Sequence, residues 1–127
     1  MSYKVEQLPG EPIIQATLYP DYRVSAELPL SNQVILGLLD AATQPLFLIL
    51  DVQTSLDLGQ IVLGAEEVTR GATPLLHHKN VRQVVVVTTN KIIALASKGL
   101  SSPLFGKINV VVFPTLDEAL GYIRAQP

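Results

Sequence analysis

Three runs made almost entirely of apolar residues constrain the fold of this chain more than any other feature. They lie in residues 46–51, 82–88 and 108–113, and the first runs from Leu46 to Leu50 and ends on Asp51. A strand with one buried face alternates apolar and polar residues, whereas a continuous apolar run is typical of a strand covered on both faces. We therefore predict three neighbouring parallel strands in the interior of a sheet.

Helical patterns follow each of these strands. A helix is predicted over about 58–70. The apolar stripe that indicates it consists of Ile61, Ala65 and Val68, continues to Ala72 and is widened by Leu58 and Val62. Asn90 is placed to cap a second helix, with Ile92, Ala96 and Leu100 facing inward. Thr115 and Glu118 predict a capping box for a last helix, whose inward residues are Leu116, Ala119, Leu120 and Ile123. Alternating strands and helices predict a largely parallel sheet with helices on both faces.

The N-terminal third begins with a predicted antiparallel hairpin. Two short β-rich runs, 3–8 and 13–19, are separated by Pro9, Gly10 and Pro12, which suit a turn or a sheet edge. Residues 24–42 leave two interpretations open. One is a long helix capped by Ser25 that tolerates Pro29 near its start. The other is a strand over 23–28 and a shorter helix capped by Ser31. The shared face of Leu28, Ile35, Leu38 and Leu39 favours the long helix.

The composition limits the number of domains, the location and the partners that we expect. Of the 127 residues, 48% are hydrophobic and 16% charged, and Cys is absent. We predict one domain over residues 1–127, without disulfides or thiolate metal sites. No apolar run approaches the roughly 20 residues of a membrane span, and the first residues lack an apolar signal core, so we expect a cytoplasmic protein without membrane insertion. The net charge of −2 without a Lys/Arg cluster argues against nucleic acid. The high apolar fraction suggests a homodimer.

The polar residues after the first buried strand form the candidate binding site. They are Asp51, Thr54, Ser55 and Asp57, flanked by Leu56 and Leu58. In open α/β sheets, ligands usually meet the protein at the carboxyl ends of the strands. The same pattern also fits a simpler interpretation, in which Asp57 or Ser55 caps the following helix. Asn90 has the same two interpretations, as a cap or as part of an anion site at a helix start.

Catalytic and cofactor signatures are missing from the sequence. It contains no G-x-S-x-G elbow and no glycine-rich nucleotide motif. His77 and His78 are adjacent, so their side chains point in different directions and chelate a metal poorly. We therefore predict no catalytic residue, no metal ligand and no cofactor, and we expect that the protein is not an enzyme.

Three stretches resemble the STAS superfamily, the domain shared by sulfate transporters and anti-sigma-factor antagonists. They are LFLILDV, VRQVVVVTTN and FGKINVVVFPTLDEALGYI, and they are most similar to the divergent soluble, antagonist-like branch. The resemblance implies an α/β fold: a single-domain STAS-like sandwich with a mostly parallel central sheet, an antiparallel N-terminal edge and about four helices.

The resemblance also implies a function, with one departure. In the antagonists the loop carries D-S-S-G, and its first Ser accepts a phosphate. The best-matching residues here are Asp57, Leu58, Gly59 and Gln60, so Leu58 replaces the phosphoacceptor. We predict a non-enzymatic regulatory or protein/ligand-binding module without that switch. The alternatives are a small-molecule or lipid carrier, or a small α/β enzyme with its site at the strand ends. The sequence does not name the partner, ligand or pathway.

Overall fold

The structure, a computed structural model, describes residues 2–70, 75–103 and 106–127, with only the backbone of Leu58, Val68 and Arg70. Its strands are β1 (Tyr3–Gln7), β2 (Ile13–Leu18), β3 (Leu46–Val52), β4 (Val81–Val87) and β5 (Val110–Phe113). Its helices are α1 (Val24–Ala41), α2 (Leu58–Arg70), α3 (Lys91–Gly99) and α4 (Leu116–Arg124), with a 3₁₀ turn at Leu75–His77. The α/β fold class is confirmed.

The five strands form one sheet in the order β1-β2-β3-β4-β5. Strand β1 is antiparallel to β2, and the other neighbouring pairs are parallel. The N-terminal hairpin and the mostly parallel sheet are therefore confirmed. In the β3–β4 register, Asp51 lies opposite Val87. The loops that follow these two strands consequently leave the sheet side by side.

One strand prediction is wrong in its position. We predicted residues 108–113 in the sheet interior, but β5 is an edge strand that pairs with β4 alone. All four of its residues are partly exposed. Its apolar run has a different cause, since helices on both faces contact it. Ladder hydrogen bonds join backbone groups, so side-chain type does not show how many neighbours a strand has.

Each face of the sheet has its own core. The three-helix face, covered by α1, α2 and α3, has a core in which Leu48, Val84 and Val86 pack against Ile35 and Leu39 of α1. The one-helix face, covered by α4, has a core that includes Ile13, Phe47, Ile49, Val85, Val87, Ala119 and Ile123. Helices on both faces were predicted, and the inward residues of α4 are also confirmed, with Ala119 and Ile123 fully buried.

Helix α1 confirms the longer of the two interpretations but begins differently. Its N-cap is Arg23, whose side chain makes no capping bond, so the prediction of Ser25 as the cap is wrong. Instead Glu27 Oε1 accepts a hydrogen bond from the Arg23 backbone N–H at 2.8 Å. Pro29 lies inside the helix. The other end is held by Asn80, whose side-chain amide donates to the carbonyls of Leu39 and Ala42.

Two inward positions on the other helices were assigned wrongly. In α3 the buried residue is Ile93, whereas Ile92 is 58% exposed. In α2, Val62 is 47% exposed and does not belong to the inward stripe. The two members of that stripe at Val68 and Ala72 lie outside the described side chains. Successive helical residues point about 100° apart, which is about the width of the apolar stripe, so two adjacent apolar residues such as Ile92 and Ile93 both fit an inward face in the sequence.

Candidate functional site

The carboxyl ends of β3, β4 and β5 surround a polar depression of about 400 Å³. Three predicted site residues from the β3 loop line it, Asp51, Thr54 and Ser55, together with Asn90 from the loop after β4. The predicted residues Leu56 and Asp57 are not part of this lining. Its lining consists of Asp51, Val52, Gln53, Thr54, Ser55, Val87, Thr88, Thr89, Asn90 and Pro114. Parallel neighbouring strands therefore bring together polar side chains that are about forty positions apart in the chain.

The first part of the β3 loop is held by its own side chains. Asp51 is buried, and its carboxylate accepts a hydrogen bond from the Gln53 side chain at 3.3 Å. Thr54 is also buried, and its hydroxyl lies within hydrogen-bond distance of the carbonyls of Pro20 and Tyr22. These contacts anchor the loop to the segment that leads into α1. Ser55, the next residue, is exposed at the rim.

Asp57 caps the start of α2 through two reciprocal hydrogen bonds. Its Oδ1 accepts from the backbone N–H of Gln60 at 2.8 Å, and its own backbone N–H donates to Gln60 Oε1 at 3.0 Å. This is the geometry of a capping box, with Asp and Gln in the two roles. The simpler of the two sequence interpretations of Asp57 is therefore what the structure contains.

Asn90 has the same structural role at α3. Its Oδ1 accepts hydrogen bonds from the backbone N–H groups of Ile92 and Ile93 at 2.9 and 3.1 Å. Its own N–H donates to the hydroxyl of Thr88, which is buried. The predicted cap is confirmed. The side-chain oxygen occupies the first amides of the helix, where an incoming anion would otherwise bind.

The two leucines beside Asp57 are not equivalent. Leu56 is partly buried, and it lines a second, apolar cavity beneath the loop. Leu58 is the first residue of α2, and its side chain lies outside the described part. Leu56 therefore contributes less to an outer contact patch than the sequence suggested.

Several contributors to the depression were not predicted as site residues, among them Pro114 and Thr88. Pro114 follows β5, and Thr88 follows β4. A usable signal existed for both, since each directly follows a predicted parallel strand and the carboxyl ends of such strands share one edge. The apolar cavity had no comparable signal, because its lining comes from several separate elements.

One member of the histidine pair, His78, takes part in a structural contact. His78 Nε2 lies 2.7 Å from Asp40 Oδ1, and Nδ1 of the same ring accepts from the backbone N–H of Asn80. The ring thus joins α1 to the turn before β4. Among the described residues, no three His, Asp or Glu side chains are grouped to hold a metal ion, and no helix there is both long and apolar enough to cross a membrane.

Comparisons with known proteins identify the fold alone. No protein-family model matches the chain, and a search of curated proteins finds no match. Among solved structures, it is similar to an uncharacterised protein of the DUF3478 family from Shewanella loihica PV-4, described as having a SpoIIAA-like fold. The TM-score is 0.55 at 12% identity, and the match covers 95% of this chain and 91% of the other. The chain therefore has a SpoIIAA-like, or STAS-like, fold, as the resemblance predicted.

Proposed function

We propose that the protein is a non-enzymatic binding module of STAS-like fold that contacts a partner protein through the loop Gln53–Gln60. The reciprocal Asp57–Gln60 hydrogen bonds carry this proposal. They commit the Asp57 carboxylate to holding the loop, and they begin a helix whose first residue is Leu58. The position that matches the family's phosphoacceptor thus has an apolar side chain that cannot accept a phosphate.

The other polar groups of the depression also support binding over catalysis. Asp51, Thr54 and Asn90 each engage a neighbouring group of the same loops or of the α1 entry. A general base or nucleophile needs a free group within reach of a substrate. Side chains that are already occupied provide a stiff, preformed surface, which lowers the entropic cost of binding.

Phosphorylation provides the first test. Asp51 and Asp57 would repel a phosphate on Ser55, and the loop contains no Lys or Arg to offset that charge. We expect intact-mass analysis of protein from its native host to show no phosphate on Thr54 or Ser55. Stoichiometric phosphate on Ser55 would contradict the proposal and restore the antagonist mechanism.

Two loop variants with matched controls test the contact surface. Ser55→Arg places a bulky charge on the exposed rim, and Thr43→Arg places the same charge on an exposed residue at the opposite end of β3. Capture of host proteins by Ser55→Arg should lose a partner that the parent and Thr43→Arg both retain. Asp57→Asn keeps the cap but removes the charge, whereas Asp57→Ala should lose about 1 kcal/mol of stability. Unchanged capture by Ser55→Arg and Asp57→Asn would refute a contact at this loop.

A homodimer and a cytoplasmic location stay predictions. For the dimer, the outer surface of α1–α3 is better suited than the edge strand β1. It displays the exposed apolar residues Leu30, Val34, Val62, Leu63, Ile92 and Leu95, whereas β1 displays the ion pair of Lys4 and Glu6. Charged edge strands discourage pairing. Light scattering at tens of micromolar (roughly the range that populates weak interfaces) separates a dimer from a monomer.

A further inference from the structure

An apolar cavity of about 140 Å³ lies between the sheet and the helices of the three-helix face. Leu18, Leu50 and Val86 contribute to it from β2, β3 and β4. The rest of the lining comes from Val52 of β3, the three helices and the short segments next to them. An engineered protein cavity of about 150 Å³ lined by apolar side chains stays dry and binds benzene. The volume here accommodates a group of similar size.

The cavity lining offers few polar groups that could hydrogen-bond a water molecule. Its polar side chains include Tyr22, Gln60 and Ser97, and each has a partner elsewhere. The Tyr22 hydroxyl bonds the Ser31 hydroxyl at 2.9 Å, Gln60 accepts from Asp57, and Ser97 donates to the Ile93 carbonyl at 2.7 Å. A buried water needs two to four polar partners. The lining therefore selects a hydrocarbon group.

Gly64 keeps part of this space open. It lies in the interior of α2, where glycine is less favourable than alanine because it loses more conformational entropy on folding. A Cβ built at Gly64 has no heavy atom within 4 Å, and the residue lines the cavity. Ala65 and Ala96 line it as well. Larger apolar residues at these positions would fill the space from both helices.

Solvent reaches the cavity lining. Leu50 and Val52 belong to β3, which has a paired strand on each side, yet both remain partly exposed. Leu28 of α1 and Leu56 of the loop also line the cavity and are also partly exposed. A ligand therefore has a way in without unfolding of the sheet.

We propose that this cavity binds an uncharged hydrocarbon group about the size of a benzene ring or a short alkyl chain. Two sources supply this chemistry, a free small molecule or the hydrocarbon tail of a lipid. The inference goes beyond the proposed function, which concerns the outer surface of the Gln53–Gln60 loop and a protein partner. Either one can fail without the other, because their tests use different ligands and different variants.

The test uses the full chain with two probes, n-butylbenzene as a free hydrocarbon and decanoate as a lipid tail. Each probe is titrated while the melting temperature is followed, and bound probe is measured by NMR. We expect a saturable rise in melting temperature with at least one probe. If only n-butylbenzene binds, the natural ligand is a free small molecule. If decanoate binds more tightly than n-butylbenzene, the natural ligand is a lipid tail.

Two glycine variants localise the binding. Gly64→Leu fills the cavity, whereas Gly37→Leu adds the same side chain to an exposed position of α1 where a Cβ also has no atom within 4 Å. Gly37→Leu should bind the probe like the parent, and Gly64→Leu should bind it about tenfold more weakly or not at all. If Gly64→Leu does not fold, Ala96→Leu replaces it, with the exposed Leu95→Ser as its control.

Two results would overturn the proposal. One is a parent protein that binds neither probe, which would make the cavity an unused packing defect. The other is probe binding that persists unchanged in the cavity-filling variant, which would place the ligand elsewhere on the molecule.

Discussion

The two faces of the sheet differ in how well their covering fills the space above the strands. Three helices cover one face, and a cavity of about 140 Å³ remains beneath them. A single helix covers the other face, where aromatic rings pack closely. A depression on that side is lined in part by the polar and charged residues Glu11, Arg82 and Arg124. The rings of Phe113 and Tyr122 lie 5.1 Å apart, and the Arg82 guanidinium lies 4.6 Å from the centre of the Phe47 ring.

Side-chain volume explains this difference better than the number of helices. At the cavity, α2 and α3 present small residues, among them Gly64, Ala65 and Ala96. Toward the other face, α4 presents the small Ala119 but also the larger Leu116, Leu120, Tyr122 and Ile123. Protein interiors are normally packed as densely as organic crystals. A place where small residues leave a gap is therefore the place where a ligand can complete the packing.

The substitutions with the largest expected effect on stability test whether the whole core of the three-helix face is loosely packed. Leu48 lies on this face outside the cavity lining and is 0% exposed, as is Ile49 on the opposite face. Leu48→Asp and Ile49→Asp should each lose about 4 kcal/mol or more, because each buries an unpaired charge. Urea denaturation measures both. Val111→Asp in the edge strand is the control and should lose less, since Val111 is partly exposed.

If Leu48→Asp unfolds at nearly the parent's urea concentration, the core of the three-helix face is not packed as the structure has it. Equal and large losses at Leu48 and Ile49 would confine the looseness to the cavity itself.

Truncating two adjacent residues of β3 compares the packing of the two faces more directly. Ile49 and Leu50 are neighbours in β3 that face opposite sides of the sheet. Ile49→Ala should lose about 3–4 kcal/mol, because it opens a new void in a filled core. Leu50→Ala should lose only about 1–2 kcal/mol, because Leu50 is already partly exposed and lines an existing cavity. Equal losses in urea denaturation would show that the cavity does not relieve the packing around Leu50.

The smallest expected effect concerns an ion pair that ties α4 to the N-terminal hairpin. Arg124 Nε lies 2.8 Å from Glu11 Oε1, and this hydrogen bond holds the pKa of Glu11 below its ordinary value of 4.5. The stabilisation is present above pH 4.5 and is lost as the pH falls through the lowered pKa of the folded state. The contribution is small and sensitive to salt, because Arg124 is exposed and Glu11 is partly exposed.

Thermal unfolding of Glu11→Gln and the parent, from about pH 7 to about pH 3, measures this contribution. The difference in melting temperature should be small at the upper end and should vanish at the lower end. A difference that is the same at every pH would mean that Glu11 acts through packing and not through its charge.

Most of the architecture could be predicted because it depends on local patterns. The apolar run of Leu46–Leu50, the Asn90 cap and the Thr115 cap each involve residues within a few positions of one another, and all three appear as expected. The cap of α1 was predicted wrongly, although it too involves residues close together in the chain. Glu27 supplies the capping bond from four positions into the helix, whereas the sequence offered Ser25 as an ordinary cap.

The buried strands, the helices that follow them and the α/β fold class could all be predicted from the sequence alone. The edge position of β5, the inward orientation of Ile93 and the cavity around Gly64 depend on tertiary packing. Hydrophobic patterns record only that a side chain leaves water, since burial is favourable in any direction. Which neighbour covers that side chain, and whether the neighbour fills the space, depends on how distant elements pack.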